Sequence, residues 1–477
     1  MRVLSMLLLS LASAGLHRTA AAADPPPNVV IIFTDDQGYG DVGCFGAEGF
    51  ETPNLDRMAT EGMRFTNFYV SQAVCTASRA ALLTGCYNVR VGLDGALGPS
   101  AQIGLHPDET TFAELAKSSG YATAMVGKWH LGHHEPFLPT SQGFDSYYGL
   151  PYSNDMWPDH PNQDALVAKG RGYPPLPMYE NTHVVDEDVT AEDQTQLITD
   201  YTERSVAFIE KSGDRPFLLY LAHSLPHVPL FVSDMFAGTQ PAGLYGDVIR
   251  EIDWSVGQVL DALKRTGVDE RTLVIFCSDN GPWLAYGDHA GTTAGLREGK
   301  GTSFEGGVRT PTIMRYPGQI PAGSVCETPA MTIDILPTIA GLIGARPPER
   351  TIDGADLWAL MTGHPQAASP HKALFFYWGG SLEAVRVGDF KMHYPHGYRS
   401  IVEVGTGGQP GRYKRSTIEK SLFDLGKDPA ETTNVLREHP EIEAEIDRLA
   451  DAMRAKLGDR RTKQTGAEVR SVGRLGR

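Results

Sequence analysis

Cysteine is scarce in this 477-residue chain. Five are present, Cys44, Cys75, Cys86, Cys277 and Cys326, and no two form a CxxC pair. Local spacing therefore offers neither a zinc ribbon nor a thioredoxin-type site. An odd count leaves at least one cysteine unpaired; four others can pair in three ways or stay as buried free thiols. Positive charge is also short: 42 Lys and Arg face 58 Asp and Glu, a formal net charge of -16. So acidic a chain is a poor partner for nucleic acid or an anionic membrane surface. No internal repeat is visible, and no HExxH frame surrounds His130, His133 and His134, so those histidines lack a zinc-protease context. What remains is globular in composition, with 41% hydrophobic and 21% charged residues. Collagen, coiled coil and wholesale disorder are excluded.

The first residues read as an export signal. Met1-Arg2 is a short basic start, residues 3–16 are almost wholly apolar, and Ala20–Ala23 offers small-residue cleavage sites before Asp24-Pro25-Pro26-Pro27. The apolar stretch is too short to span a bilayer comfortably, and no later run resembles it. Residues 1–23 are expected to be removed. The mature protein is then expected in the periplasm or outside the cell, with no integral membrane segment and under oxidising conditions.

Strand-length apolar runs recur at Asn28–Thr34, Ala122–Gly127, 216–222 and Thr272–Ser278. They are continuous rather than alternating, as in parallel strands covered on both faces. Helical periodicity fills 110–119, 191–211, 245–266 and 331–343, which predicts a doubly wound α/β sandwich. Residues 150–190 lack a period and read as a long loop over the sheet edge; Tyr152, Trp157, His160 and Tyr179 in it are candidate sugar-stacking walls. After about residue 370 short antiparallel strands (374–378, 384–387, 390–393) precede an amphipathic helix over 441–457 stopped by Gly458. We therefore expect a main domain over 24–370 and a smaller α+β C-terminal domain over 371–477. The basic end, with Arg460, Arg461, Lys463, Arg470, Arg474 and Arg477, reads as a solvated, frayed tail.

Polar residues gather where the buried strands end. The first strand runs into Asp35-Asp36, the second into Lys128-Trp129-His130, the third into His223 and His227, and the fourth into Asp279-Asn280. Ligands of open α/β sheets bind beyond the carboxyl ends of the strands. Asp35, Asp36, Asp279 and Asn280 offer hard oxygen donors suited to Ca²⁺ or Mg²⁺. Lys128, Lys300 and Arg79 supply positive charge for a tetrahedral oxyanion, and His130, His223 and His227 are candidates for acid–base work. Together they describe hydrolysis of a sulfate or phosphate ester. Gly38-Tyr39-Gly40-Asp41-Val42-Gly43 fits G-x-G-x-x-G, but a loop follows it where a dinucleotide site needs a helix.

Residues 75–85 read Cys-Thr-Ala-Ser-Arg-Ala-Ala-Leu-Leu-Thr-Gly. Ser78 or a neighbour is expected to cap a helix, placing Cys75 just before its N-terminus. This stretch resembles the signature of the type I sulfatases, whose cysteine is oxidised to Cα-formylglycine. Asp35-Asp36-Gln37-Gly38, Gly127-Lys128-Trp129-His130-Leu131-Gly132, His227-Val228-Pro229, Ser278-Asp279-Asn280-Gly281 and the loop from Gly299 to Gly307 resemble the family's other motifs, in order. Leu422-Phe423-Asp424-Leu425 with Asp428-Pro429-Ala430-Glu431 extends the likeness into the C-terminal part. Within the family the chain looks most like its arylsulfatase A and N-acetylgalactosamine-6-sulfatase members.

The resemblance implies an alkaline-phosphatase-like fold and a sulfuric ester hydrolase acting on an aryl sulfate or sulfated glycan. It makes Cys75 the unpaired cysteine and, as a hydrated aldehyde, the nucleophile: one hydroxyl attacks sulfur and the other later expels sulfate. It assigns Ca²⁺ to Asp35, Asp36, Cys75, Asp279 and Asn280, and sulfate oxygens to Lys128 and Lys300. Arg79 and His130 would orient the nucleophile. His227 would protonate the leaving oxygen, assisted by Lys300, and His223 would contact substrate. A maturase is implied as a partner. Ala77 stands where many members have Pro, a form often associated with a radical-SAM maturase; which enzyme acts here stays open. Two alternatives also stay open: a phosphatase or phosphonate hydrolase of the same superfamily, and a non-catalytic sulfoglycan-binding relative.

Overall fold

The structure, a computed structural model, describes residues 26–476. The expected signal over 1–23 lies outside the described residues. The first, second and fourth apolar runs form strands with the expected bounds, and the third forms Phe217–Ala222. These four lie side by side and parallel at the centre of a ten-stranded sheet, in the order Thr272–Ser278, Asn28–Thr34, Phe217–Ala222, Ala122–Gly127. Every residue of the first strand is buried, as a strand covered on both faces must be.

Both faces are covered. Ile31, Phe33, Tyr220 and Ile275 pack with Leu82, Leu83, Phe112 and Leu336 of the helices on one side. Val30, Ile32, Leu219 and Phe276 pack with Leu55, Leu197, Tyr201, Val256 and Val259 on the other. Residues next to each other in a strand thus serve opposite cores. The 150–190 segment is not a plain loop. Its Met178–Glu180 and His183–Asp186 strands extend the sheet edge antiparallel beyond Ser146–Gly149. Tyr152 and Trp157 are only 4% and 6% exposed and belong to the core, so those two are packing residues rather than sugar walls.

Beyond residue 370 a four-stranded antiparallel sheet carries Leu374–Trp378, Ser381–Val387, Phe390–His393 and Ser421–Asp424, covered by the Pro440–Leu457 helix. Between the last two strands a hairpin, His396–Glu403 with Arg412–Ile418, stands out; its polar residues hid it from the pattern of apolar runs. The basic end is not frayed within the described residues. Gly473–Arg474 pairs with Ile103–Gly104, Arg470 bridges to Glu109 at 2.7 Å and Arg460 to Asp94 at 2.8 Å. Acidic partners on the main domain hold what composition alone read as a solvated tail. Cys44, Cys75, Cys86, Cys277 and Cys326 are all free thiols. Among the described residues no helix is long and apolar enough to cross a membrane.

Candidate active site

Strand register assembles the site. Thr34 lies beside Ser278, so Asp35-Asp36 and Asp279-Asn280 leave the sheet together. The Asp36 amide donates to Asp279 Oδ1 (3.1 Å), and Asn280 Nδ2 donates to Asp36 Oδ1 (2.7 Å). Gly127 ends its strand at φ 111°, where a Cβ would stand 1.8 Å from the Ala222 carbonyl. Only glycine lets the chain pass so close and present Lys128.

The helix under the site starts earlier than expected. It spans Cys75–Thr84, so Cys75 is its first residue, Val74 is the N-cap and Ser78 lies inside the first turn. All ten residues are buried, with Leu82 and Leu83 against the large sheet and Ala81 against the C-terminal sheet. Burial on both sides, rather than a capping hydroxyl, sets where it begins. Thr76 Oγ1 donates to the His130 carbonyl (2.7 Å) and ties the helix start to the second strand's end.

One ligand atom from each of Asp35, Asp36, Cys75 and His227 lies within 4.8 Å of the others, and all four residues are buried. Cys75 Sγ is 3.6 Å from Asp35 Oδ1 and 3.5 Å from Lys300 Nζ. Lys128 donates to Asp35 and to Ser153 Oγ (3.1 Å). Lys300 Nζ sits 2.7 and 2.8 Å from the two oxygens of Asp36. Arg79 donates to Asp279 Oδ2 (2.9 Å) and to the Lys128 carbonyl (3.0 Å), and its Nη2 is 3.7 Å from Asp35. His227 Nε2 is 3.6 Å from Asp36 and 3.5 Å from Ser153 Oγ.

The two site histidines differ in which nitrogen is free. His130 Nε2 donates to the Leu97 carbonyl (2.8 Å), leaving Nδ1 buried without a partner. His227 Nδ1 donates to its neighbour's carbonyl on Val228 (2.5 Å), leaving Nε2 facing the carboxylates. Burial, reinforced by the Lys128 and Arg79 charges, holds His130 well below the usual histidine range. Burial and then Lys300 lower His227.

Three carboxylates meet three cations, and the balance is uneven. Burial pushes Asp35 up, but Lys128, His227, Arg79 and Lys300 outweigh it and hold the carboxyl well below its ordinary range. Burial and the Asp35 charge push Asp279 up, to about 7. That side of the cluster is short of positive charge. Asn280 Oδ1 is also buried without a donor. An orphaned carbonyl oxygen beside crowded carboxylates suits a hard divalent cation, so the residues present fit Ca²⁺ or Mg²⁺.

Ten of the eleven residues singled out from the sequence converge here. His223 does not. One position beyond Ala222, it turns to the opposite face, where Ser255 Oγ lies 3.2 Å from its Nε2 and the Tyr201 ring lies tilted at 6.4 Å. Burial lowers its pKa to about 3, and it packs apart from the other ten. Two other residues escaped the sequence reading. Ser153 joins Lys128 to His227 from inside the aperiodic segment, and a lone serine there carries no signal. Trp283 holds the Lys300 ammonium 4.7 Å from its ring centroid and the His227 ring at 5.6 Å. A large aromatic three residues past Asn280, on a polar rim, was a usable sign.

Fold and site together define an enzyme with an α/β sandwich that hydrolyses esters of a small tetrahedral oxyanion. Comparison with known proteins narrows the class. The sulfatase family profile matches residues 27–345, and that of the C-terminal region of aryl-sulfatase matches 369–471. Human arylsulfatase A is 40% identical over 454 residues, covering 90% of this chain and 86% of the relative. Dog N-acetylgalactosamine-6-sulfatase is 38% identical over 454 residues, covering 89% and 84%. The crystal structure of the PsFucS1 sulfatase from Pseudoalteromonas sp. superposes with a TM-score of 0.80 at 30% identity, covering 90% of each chain. The chain belongs to the sulfatase family. It has the family's alkaline-phosphatase-like fold and is a sulfuric ester hydrolase.

Proposed function

We propose that the protein is an exported sulfatase that desulfates a sulfated glycan, using formylglycine made from Cys75 and a bound Ca²⁺. The observation that carries this reading is the convergence of Asp35, Asp36, Cys75 and His227 within 4.8 Å, flanked by the Lys128 and Lys300 ammonium groups. Burial pushes the unmodified Cys75 thiol up to about 12 despite both lysines. Release of sulfate from a plain thiol would need water to attack a crowded sulfate, whereas a geminal diol expels it with its second hydroxyl, which favours a modified side chain. Asp35, Asp36, Asp279 and Asn280 would hold the cation, which when bound supplies charge neutralisation and activates the nucleophile.

The chain's own residues do the rest. Lys128 and Lys300 bind the sulfate oxygens from two sides. Arg79 holds Asp279 and the Lys128 backbone in place. His130, neutral and with a free Nδ1, accepts a hydrogen bond from the hydroxyl that Cys75 carries after conversion. His227 exchanges a proton with the leaving oxygen at Nε2, the only ring nitrogen not committed to a carbonyl. Ser153 keeps Lys128 and His227 in register. The working unit is residues 24–370, and 371–477 form the C-terminal subdomain; residues 1–23 direct export, and a maturase converts Cys75 before the site is buried.

Two measurements test this reading. Mass spectrometry of the Cys75 peptide from active protein should find it about 18 Da lighter than the thiol form. Turnover of 4-nitrophenyl sulfate should exceed that of 4-nitrophenyl phosphate. An intact thiol in active enzyme sinks the modified nucleophile, and a preference for phosphate moves the protein to the phosphatase side of the superfamily.

A further inference from the structure

A groove of about 380 Å³ opens beside the Lys300 loop, and the chemistry above makes no use of it. Gly301, Tyr398, Arg399, Lys414 and Arg415 line it, with Trp378 at its wall. The protruding hairpin supplies most of these. Its register sets Arg399 directly opposite Arg415, a like-charge pair that costs stability unless something offsets it. Among the described residues no carboxylate lies within ion-pair distance of Arg399, Lys414 or Arg415, although the whole chain carries a charge of -16. The one acid on the lining, Glu383, is buried and accepts from Ser303 (2.9 Å). Arg399 Nε is buried and has no partner.

The groove adjoins the loop that carries Lys300. Arg399 Nη2 donates to the Lys300 carbonyl (3.0 Å). Gly301 follows at φ 84°, a left-handed conformation that favours glycine, and with no Cβ it leaves room for that guanidinium. The Trp283 ring lies between the two cations, with Lys300 Nζ at 4.7 Å and the Arg399 guanidinium at 5.7 Å from its centroid. The Tyr413 ring flanks Arg399 at 4.9 Å. Unpaired cations among partly exposed aromatic rings suit a charged sugar, which needs both a stacking face and a counter-charge.

We propose that this groove is a second anion subsite, taking a sulfate or carboxylate on a sugar adjacent to the one being desulfated. The inference rests on the sulfatase reading of the Cys75 site and sharpens it: the substrate is a saccharide with at least two anionic groups. Arg399 and Arg415 are specificity residues here, apart from the reacting atoms.

The test compares three disaccharides that share the scissile sulfate. One carries no other charge, one a second sulfate, and one a uronate carboxylate. In the wild-type protein a second anion should raise kcat/KM at least about tenfold, chiefly through KM, as expected for one charge-assisted contact. The disaccharide that gains more names the anion. Arg415→Gln, at an exposed position, should lower the ratio of doubly to singly anionic turnover about tenfold, and Lys414→Gln by less. Equal turnover of all three by the wild type, or an unchanged ratio in Arg415→Gln, overturns the subsite. So does a fall in kcat of the same size for every disaccharide, since that indicates a structural role. Release of sulfate from none of them, nor from 4-nitrophenyl sulfate, overturns the Cys75 reading instead.

Discussion

Replacing Lys128 with alanine tests the core of the mechanism. Its ammonium is fully buried, donates to the equally buried Asp35 carboxylate and reaches Ser153 Oγ at 3.1 Å. Two losses follow. A charge-assisted contact to a developing oxyanion is worth roughly 2–4 kcal/mol, or about 10²–10³ in rate. Asp35 also loses the cation that does most to keep it ionised, and stripping one partner from a buried pair costs about 3–5 kcal/mol. The second loss falls on folding and on the ionisation of Asp35, so the two are separable. Thermal unfolding reads the first-order stability change, while initial rates on 4-nitrophenyl sulfate, taken well below the melting temperature, read the reaction. We expect kcat/KM to fall by about 10²–10³ at low salt, and the loss to persist at high salt because both charges are screened from solvent. Lys128→Met, which keeps the apolar stem but not the charge, should regain only the packing part of the stability and none of the rate. A drop in kcat/KM below about threefold in folded Lys128→Ala protein would refute the assignment.

Three further outcomes follow from the same geometry. Ser153→Ala removes one weak hydrogen bond from each of Lys128 and His227 and should cost about 0.5–1.5 kcal/mol, a roughly 2- to 12-fold fall in kcat/KM; a loss as large as that of Lys128→Ala would show a direct chemical role instead. Chelator-treated protein should regain stability with Ca²⁺ or Mg²⁺, by about 2.7 kcal/mol at a hundredfold excess over Kd, and a melting curve indifferent to both ions would contradict the cation site. The third concerns Glu305 and Glu431, which share the buried Lys391 ammonium at 2.9 and 3.2 Å. Burial pushes Glu431 up, to about 7, while Lys391, Arg309 and Arg386 overcome burial and hold Glu305 down, to about 2. Because the folded pKa of Glu431 is raised, its contribution is fully present below the unfolded value of 4.5 and is lost as pH climbs through about 7. Glu431→Gln should therefore flatten the decline in melting temperature between about pH 5 and 8, and an unchanged slope would rule that group out.

Much of the architecture was legible in the order of residues alone. The four central strands announce themselves because a strand covered on both faces needs an unbroken apolar run, and each of theirs is of strand length and includes β-branched or aromatic residues. Asp35, Asp36, Lys128, Asp279 and Asn280 were legible for a related reason: each directly follows such a run, and parallel strands end on one rim. The helix start at Cys75, by contrast, depends on burial between two sheets, which no capping residue advertises. The edge strands within 150–190 are only three and four residues long, too short to show a period, and the hairpin at 396–418 pairs largely polar chain with polar chain; backbone hydrogen bonds leave no trace in side-chain periodicity.

Residue order by itself determined which groups reach the rim and with what charge. Tertiary structure decided which way each of them points. Ala222 and His223 are neighbours in sequence, yet alternation along the strand sends His223 to the far core against Ser255, while Ser153, distant in the chain, arrives between Lys128 and His227. The physical reason is that a side chain's chemistry is local, whereas its partners are set by strand register, by face and by the helices that cover it.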